Sequence, residues 1–138
     1  MAEPGRSEIG KRRVLVVDDA SLVRLYYRDA LEAAGFEVDE ALNGLEALEK
    51  LLTVPADLLI VDVNMPQMDG FTFLRTLRRQ AGETAAIPAL VTSTEAGPQD
   101  VEAAYAAGAN YYLVKPMAQD VLADHARRLS GRRGEERR

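Results

Sequence analysis

Residues 57–62 read Asp57-Leu58-Leu59-Ile60-Val61-Asp62, four apolar side chains in a row closed by an acid. A run this short with no polar alternation predicts a strand buried on both faces. Strands of that kind belong to parallel sheets covered by helices on each side. The pattern also occurs earlier, in Arg13-Val14-Leu15-Val16-Val17-Asp18, and again ends in acid. Two buried strands that each deliver a carboxylate at the same end set the frame for the rest of the chain.

Helical and extended stretches alternate around these two runs. Residues 21–34 carry Leu22, Val23, Leu25, Tyr26, Ala30, Leu31 and Ala34 at helical spacing, and Gly35 stops the helix at its C′ position. Residues 36–41 alternate and predict a second, weaker strand. Asn43 is placed to cap a helix over 44–52, and Pro55 ends the connection. After the run at 57–62, Met65-Pro66-Gln67-Met68-Asp69-Gly70 is loop chemistry. A helix is predicted over 71–80, with Phe71, Leu74 and Leu77 on one face and Arg75, Arg78 and Arg79 elsewhere. Residues 87–92 predict a fourth strand, where Pro88 is tolerable only near the start. Gly97-Pro98 opens a helix over 99–107 that stops at Gly108. Residues 111–114 predict a fifth strand, closed by Lys115-Pro116, and 118–129 a last helix. Five strands alternating with five helices define an α/β domain with a parallel sheet and right-handed crossovers. The ordered domain is expected over 11–130, between a flexible N-terminus at 1–10 and an Arg-rich tail at 131–138.

Composition narrows the function. The 138 residues suffice for one domain with a real core, and a 47% hydrophobic, 28% charged balance is that of a folded chain. The absence of cysteine excludes a disulfide framework, a thiolate metal site and a cysteine nucleophile. No apolar run approaches the ~20 residues that cross a bilayer, and the first ten residues lack the apolar centre of a signal peptide. A cytoplasmic protein without membrane contact is expected. The net charge of -5 is unevenly placed: residues 127–138 hold six arginines against two glutamates, so the body is strongly acidic. An acidic body argues against nucleic acid as a partner.

In a parallel α/β sheet, chemistry collects at the C-terminal ends of the strands. Here those ends carry Asp18 and Asp19, then Asp62, then Thr92, Ser93 and Thr94, then Lys115. Singly, each has an ordinary reading: Asp19 as a helix cap, Ser93 as a turn residue, Lys115 as a solvated loop cation. Neighbouring strands lie about 4.8 Å apart, so if strands 1, 3, 4 and 5 are adjacent these groups meet in one pocket. Three clustered carboxylates repel one another, and a divalent cation relieves the cost. All-oxygen ligation with room for phosphate oxygens suits Mg²⁺. Lys115 and a hydroxyl then suit an anion, with Asp62 as a nucleophile that forms an aspartyl phosphate.

These residues carry a resemblance. Val14-Leu15-Val16-Val17-Asp18-Asp19, Asp62-Val63-Asn64-Met65-Pro66-Gln67-Met68-Asp69-Gly70, Val91-Thr92-Ser93-Thr94-Glu95-Ala96 and the stretch from Gly108 through Lys115-Pro116 together resemble response-regulator receiver domains. The resemblance extends from residue 13 to about 129. It implies the doubly wound (βα)5 CheY-like, flavodoxin-like fold with strand order 2-1-3-4-5. It also implies that Asp62 is the phosphoacceptor, and that Mg²⁺ is bound directly by Asp19, mostly through water by Asp18, and by Asp62 and the Asn64 backbone carbonyl. Lys115 is implied to contact the phosphoryl group. The family's interval back from Lys115 lands on Ser93 as the switch hydroxyl, with Thr92 the rival if the loop length differs. Tyr112 matches the switch aromatic. Asn64 and Glu95 match positions that tune dephosphorylation in quickly resetting receivers. Thr94 departs from the usual small residue, which together predicts a phosphorylated lifetime of intermediate length.

The implied function is a single-domain response regulator rather than an enzyme. A histidine kinase or histidine phosphotransfer protein supplies the phosphoryl group, and a separate, unidentified downstream protein reads the helix 4–strand 5–helix 5 surface, with the chain a monomer or homodimer. The sole histidine, His125, is expected at the surface away from the pocket. An alternative is a Mg²⁺-dependent phosphohydrolase of the aspartyl-phosphate type, but its general acid would fall at Asn64, which cannot transfer a proton. A flavin-type carrier lacks a Gly-rich phosphate loop. A receiver-like docking module that is never phosphorylated would not need the full set of pocket residues.

Overall fold

The computed structural model describes residues 10–131. The strands are β1 (Arg13–Val17), β2 (Glu37–Ala41), β3 (Leu58–Asp62), β4 (Ala89–Ser93) and β5 (Tyr111–Val114). The helices are α1 (Ser21–Ala33), α2 (Gly44–Leu51), α3 (Gly70–Arg78), α4 (Pro98–Ala107) and α5 (Gln119–Ser130). All strand pairs are parallel, in the order β2-β1-β3-β4-β5. The expected N-terminal arm at 1–9 and the Arg-rich tail at 132–138 lie outside the described residues.

Strand alternation divides the core into two layers. Leu15, Val17, Leu59, Val61, Ala89 and Val91 face α2, α3 and α4, against Ala47, Phe73, Leu74, Leu77, Ala104 and Ala107. Val14, Val16, Leu58, Ile60 and Leu90 face α1 and α5, against Tyr27, Ala30, Leu31, Leu122 and Ala126. β3 is buried along its whole length, as its unbroken apolar run predicts. Truncating a fully buried side chain such as Phe73 would cost about 3–5 kcal/mol.

The local signals act largely as read. Asn43 accepts from the Glu46 amide and caps α2. Gly35 ends α1 at φ 96°, a conformation that favours glycine. Pro88 sits just outside β4, and its carbonyl accepts from the Leu59 amide. Two faces were assigned differently. In α1 the buried side chains are Tyr27, Ala30 and Leu31, whereas Leu22, Leu25 and Tyr26 are exposed. The helix carries apolar residues on two faces, and the sheet takes the stripe that includes Tyr27. In α3 it is Phe73, with Leu74 and Leu77, that is fully buried, while Phe71 lies at the margin. A short 3₁₀ helix, Gly82–Ala86, fills the connection before β4.

Arg78, expected off the apolar face of this helix, turns toward the neighbouring loops. Its guanidinium donates to the carbonyls of Gly108, Ala85 and Ile87 and to Asn110 Oδ1. It thereby joins the C-terminal ends of α3 and α4 to the entry of β4.

Candidate functional site

The site forms because β1, β3, β4 and β5 are consecutive neighbours and end on one edge. β1 stops at Val17, one residue before its acid. The Asp18 amide then donates to the Ala41 carbonyl, and Asp18 Oδ1 accepts from the Ala20 amide at 2.9 Å. Asp18, not Asp19, therefore shapes the entry to α1, and Asp19 stays exposed at the mouth of the site. Arg24 Nη1 donates to the Asp18 carbonyl at 2.7 Å while its Nε pairs with Glu40. Burial pushes the Glu40 carboxyl up, but hydrogen bonds from Arg28 and Arg24 outweigh it and hold the carboxyl below its ordinary range.

Lys115 reaches in from the end of β5. Its amide donates to the Ser93 carbonyl at 2.8 Å, and its ammonium lies 2.7 Å from Asp62 Oδ1 and 3.1 Å from Asp18 Oδ2. Asp18 is 1% and Asp62 7% exposed, so both carboxylates are largely desolvated. Burial, with the charges of Asp18 and Asp19, raises the Asp62 carboxyl despite the hydrogen bond from Lys115. For Lys115, burial acts downward, but the carboxylates prevail and raise the ammonium.

One ammonium thus faces three carboxylates. Asp18, Asp19 and Asp62 each offer an oxygen within 4.8 Å of the others. Hard oxygen donors with surplus negative charge fit a divalent cation such as Mg²⁺. Gly70 closes the floor: a Cβ there would lie 2.3 Å from the Asp62 carbonyl oxygen, so only glycine lets α3 begin this close to β3.

Ser93 and Thr92 alternate at the end of β4 and point to opposite sides. Ser93, 2% exposed, accepts from the Glu95 amide at 3.0 Å. The Glu95 carbonyl accepts from the Tyr112 hydroxyl at 2.7 Å. Thr92 pairs in register with Asp62 and is fully buried, its hydroxyl without a hydrogen-bond partner. It faces the α1 side, toward Tyr27, whose phenol is raised by burial. Asn64, Thr94 and Glu95 are exposed at the rim. Thr94 lines a largely apolar groove of about 490 Å³ beside the site, shared with Lys115, Tyr26, Tyr27 and Pro116. His125 is half-buried and stacks on Tyr111 with ring centroids 4.4 Å apart.

The structure therefore brings together Asp18, Asp19, Asp62 and Lys115, with Ser93 and Tyr112 joined to each other through Glu95. Sequence reading missed Arg24. Its spacing four before Arg28 on α1 marks a basic stripe, but nothing marks its bond to the Asp18 carbonyl.

A doubly wound α/β domain with an acidic pocket and a lysine at one sheet edge defines the class. The sequence family described as response regulator receiver domain matches residues 14–127, and the chain belongs to that family. Among curated proteins it is 39% identical over 119 residues to the sensor protein EvgS of Escherichia coli K12. It is 36% identical over 126 residues to the transcriptional regulatory protein PrrA of Mycobacterium leprae. These matches cover 86% and 91% of this chain but only 10% and 53% of the relatives, so the chain spans about a tenth and about half of their lengths. Among solved structures, the chemotaxis protein CheY4 of Vibrio cholerae is similar at TM-score 0.81 and 36% identity, covering 87% of this chain and 99% of that one. A putative response regulator from Chloroflexus aurantiacus is similar at TM-score 0.83 and 32% identity, covering 88% and 99%. The CheY-like fold and the place in two-component signalling follow from this membership. No helix among the described residues is long and apolar enough to cross a membrane.

Proposed function

We propose that the chain accepts a phosphoryl group on Asp62 from a histidine kinase or histidine phosphotransfer protein and passes the change to a separate protein through its α4–β5–α5 face. The observation that carries this reading is the Lys115 ammonium held between Asp62 and Asp18, with Asp19 beside them. Asp62 Oδ attacks phosphorus, the phosphorus–nitrogen bond to the donor imidazole breaks, and the electron pair leaves with the imidazole. Asp18, Asp19, Asp62 and the Asn64 carbonyl would hold Mg²⁺, which when bound neutralises charge on the transferring group. Lys115 turns from its carboxylate partners to a phosphoryl oxygen. Ser93 is drawn toward another, releasing the Glu95 amide, and Tyr112 follows.

α4 suits the response because only Ala104 and Ala107 are buried along it. The face it borders exposes Tyr105, Tyr111 and Val114, side chains a protein partner can cover. Phosphorylation then shifts a population between two packings. Asn64 and Glu95 favour attack by water on the phosphoryl group and Thr94 obstructs it, giving a lifetime of intermediate length. The protein assists only its own phosphorylation and dephosphorylation, without turning over a substrate.

The test is intact mass after incubation with Mg²⁺ and acetyl phosphate, with beryllofluoride as the stable mimic. One phosphoryl group on the wild-type chain and none on Asp62→Asn is expected. An unlabelled wild-type chain, or label retained in Asp62→Asn, would overturn the proposal.

A further inference from the structure

The loop that carries Lys115 is tied at both ends. Its start is fixed to the sheet by the bond from the Lys115 amide to the Ser93 carbonyl. Its far end is fixed to α1 by two reciprocal bonds. The Tyr26 hydroxyl donates to the Met117 carbonyl at 2.8 Å, and Gln119 Nε2 donates to the Tyr26 carbonyl at 2.9 Å. The Met117 side chain is buried in the same layer as Tyr27, which sets the depth of the loop. Tyr26 is itself 40% exposed, beside the exposed Leu22 and Leu25, so its ring contributes little to the core. An exposed phenol can keep its hydroxyl in water. Here it makes a directed bond to a carbonyl 91 residues along the chain.

The place of the Lys115 ammonium depends on where the backbone of this loop lies. A flexible four-carbon stem finds Asp62 and Asp18 at 2.7 and 3.1 Å only if its root is held. A small misplacement of a reacting or positioning group can cost a large factor in rate.

We infer that Tyr26 is a positioning residue for Lys115, acting through its hydroxyl bond to the Met117 carbonyl with Gln119 as its counterpart. The inference rests on the reading of Asp62 as phosphoacceptor. Tyr26 moves no proton and forms no bond to phosphorus. Tyr26 also lines the groove beside the site that Lys115 borders.

The experiment compares the full chain with Tyr26→Phe, Gln119→Ala, Lys115→Ala and the Tyr26→Phe/Lys115→Ala double variant. Labelling rate with acetyl phosphate, beryllofluoride affinity and Mg²⁺ affinity are measured on each. Tyr26→Phe is expected to slow labelling and weaken beryllofluoride binding about three- to tenfold, the value of one hydrogen bond. Mg²⁺ affinity should not fall, since the variant keeps every metal-binding carboxylate and only loosens the ammonium that competes for them. Gln119→Ala should act in the same direction, and Tyr26→Phe should have no further effect once Lys115 is Ala. Wild-type rates in Tyr26→Phe, or equal slowing with and without Lys115, would overturn the inference. A wild-type chain that fails to label would instead remove the parent reading and this inference with it.

Discussion

Ser93 and Tyr112 hold opposite ends of one residue: the Ser93 hydroxyl accepts from the Glu95 amide, and the Tyr112 hydroxyl donates to the Glu95 carbonyl. A turn of the Ser93 side chain toward Asp62 would strain its bond to Glu95, the residue that Tyr112 also holds.

Ser93→Ala should break this link without removing the acidic pocket. Beryllofluoride should still bind, but amide resonances of 95–107 should no longer shift with it. The fold itself should lose about 1 kcal/mol or less. Nuclear magnetic resonance titration reads both; shifts over 95–107 as large as in the wild type would contradict the coupling.

The raised Asp62 carboxyl has a pH signature. A carboxyl raised in the folded state binds its proton more tightly there than in the unfolded chain, so this group lowers stability as pH rises through its folded pKa. The penalty is complete above that point. Mg²⁺ should therefore raise the melting temperature at neutral pH, and the gain should fade on acidification as Asp62 protonates and the metal loses a ligand. Asp62→Asn should remove most of this pH dependence. Thermal melts from mildly acidic to neutral pH, with and without Mg²⁺, check it.

Gly70→Ala should be costly for a single methyl. Its Cβ would meet the Asp62 carbonyl oxygen, carbon and the Val63 Cα, all backbone atoms that cannot step aside alone. A loss of about 1–3 kcal/mol is expected in urea unfolding. Slower labelling of Asp62 in the protein that remains folded should accompany it.

Arg78→Ala should cost about 2–3 kcal/mol, since it strips partners from several carbonyls beside a half-buried guanidinium. Arg78→Lys should recover little, because a single ammonium cannot reproduce the planar fork. Denaturant midpoints for the two variants decide this.

The fold was legible because the apolar runs ending in Asp18 and Asp62 fix strand type and direction at once. The pocket followed, since a parallel sheet brings same-end residues together whatever their distance in sequence. What stayed hidden depends on side-chain choice rather than pattern. Tyr26 and Tyr27 are adjacent and chemically identical, and only the packing of α1 on the sheet sends one inward and the other to Met117. Arg78 reads as a solvated charge because its partners are backbone carbonyls, which a sequence does not distinguish. Thr92 and Ser93 differ only in strand parity, which fixes the side each faces once the boundary of β4 is known.

The two ends of α4 are held very differently. Arg78 grips the Gly108 carbonyl at one end, and the buried Ala104 and Ala107 lie near it. The other end begins three residues after Glu95. The helix, about 15 Å long, is thus anchored at its C-terminus, and as a rigid rod it would pivot there. A displacement of Glu95 applied near its free end becomes a tilt, largest close to the site and vanishing at Arg78. A partner that grasps the N-terminal half of α4 would sense phosphorylation strongly, and one bound near Gly108 would scarcely notice it.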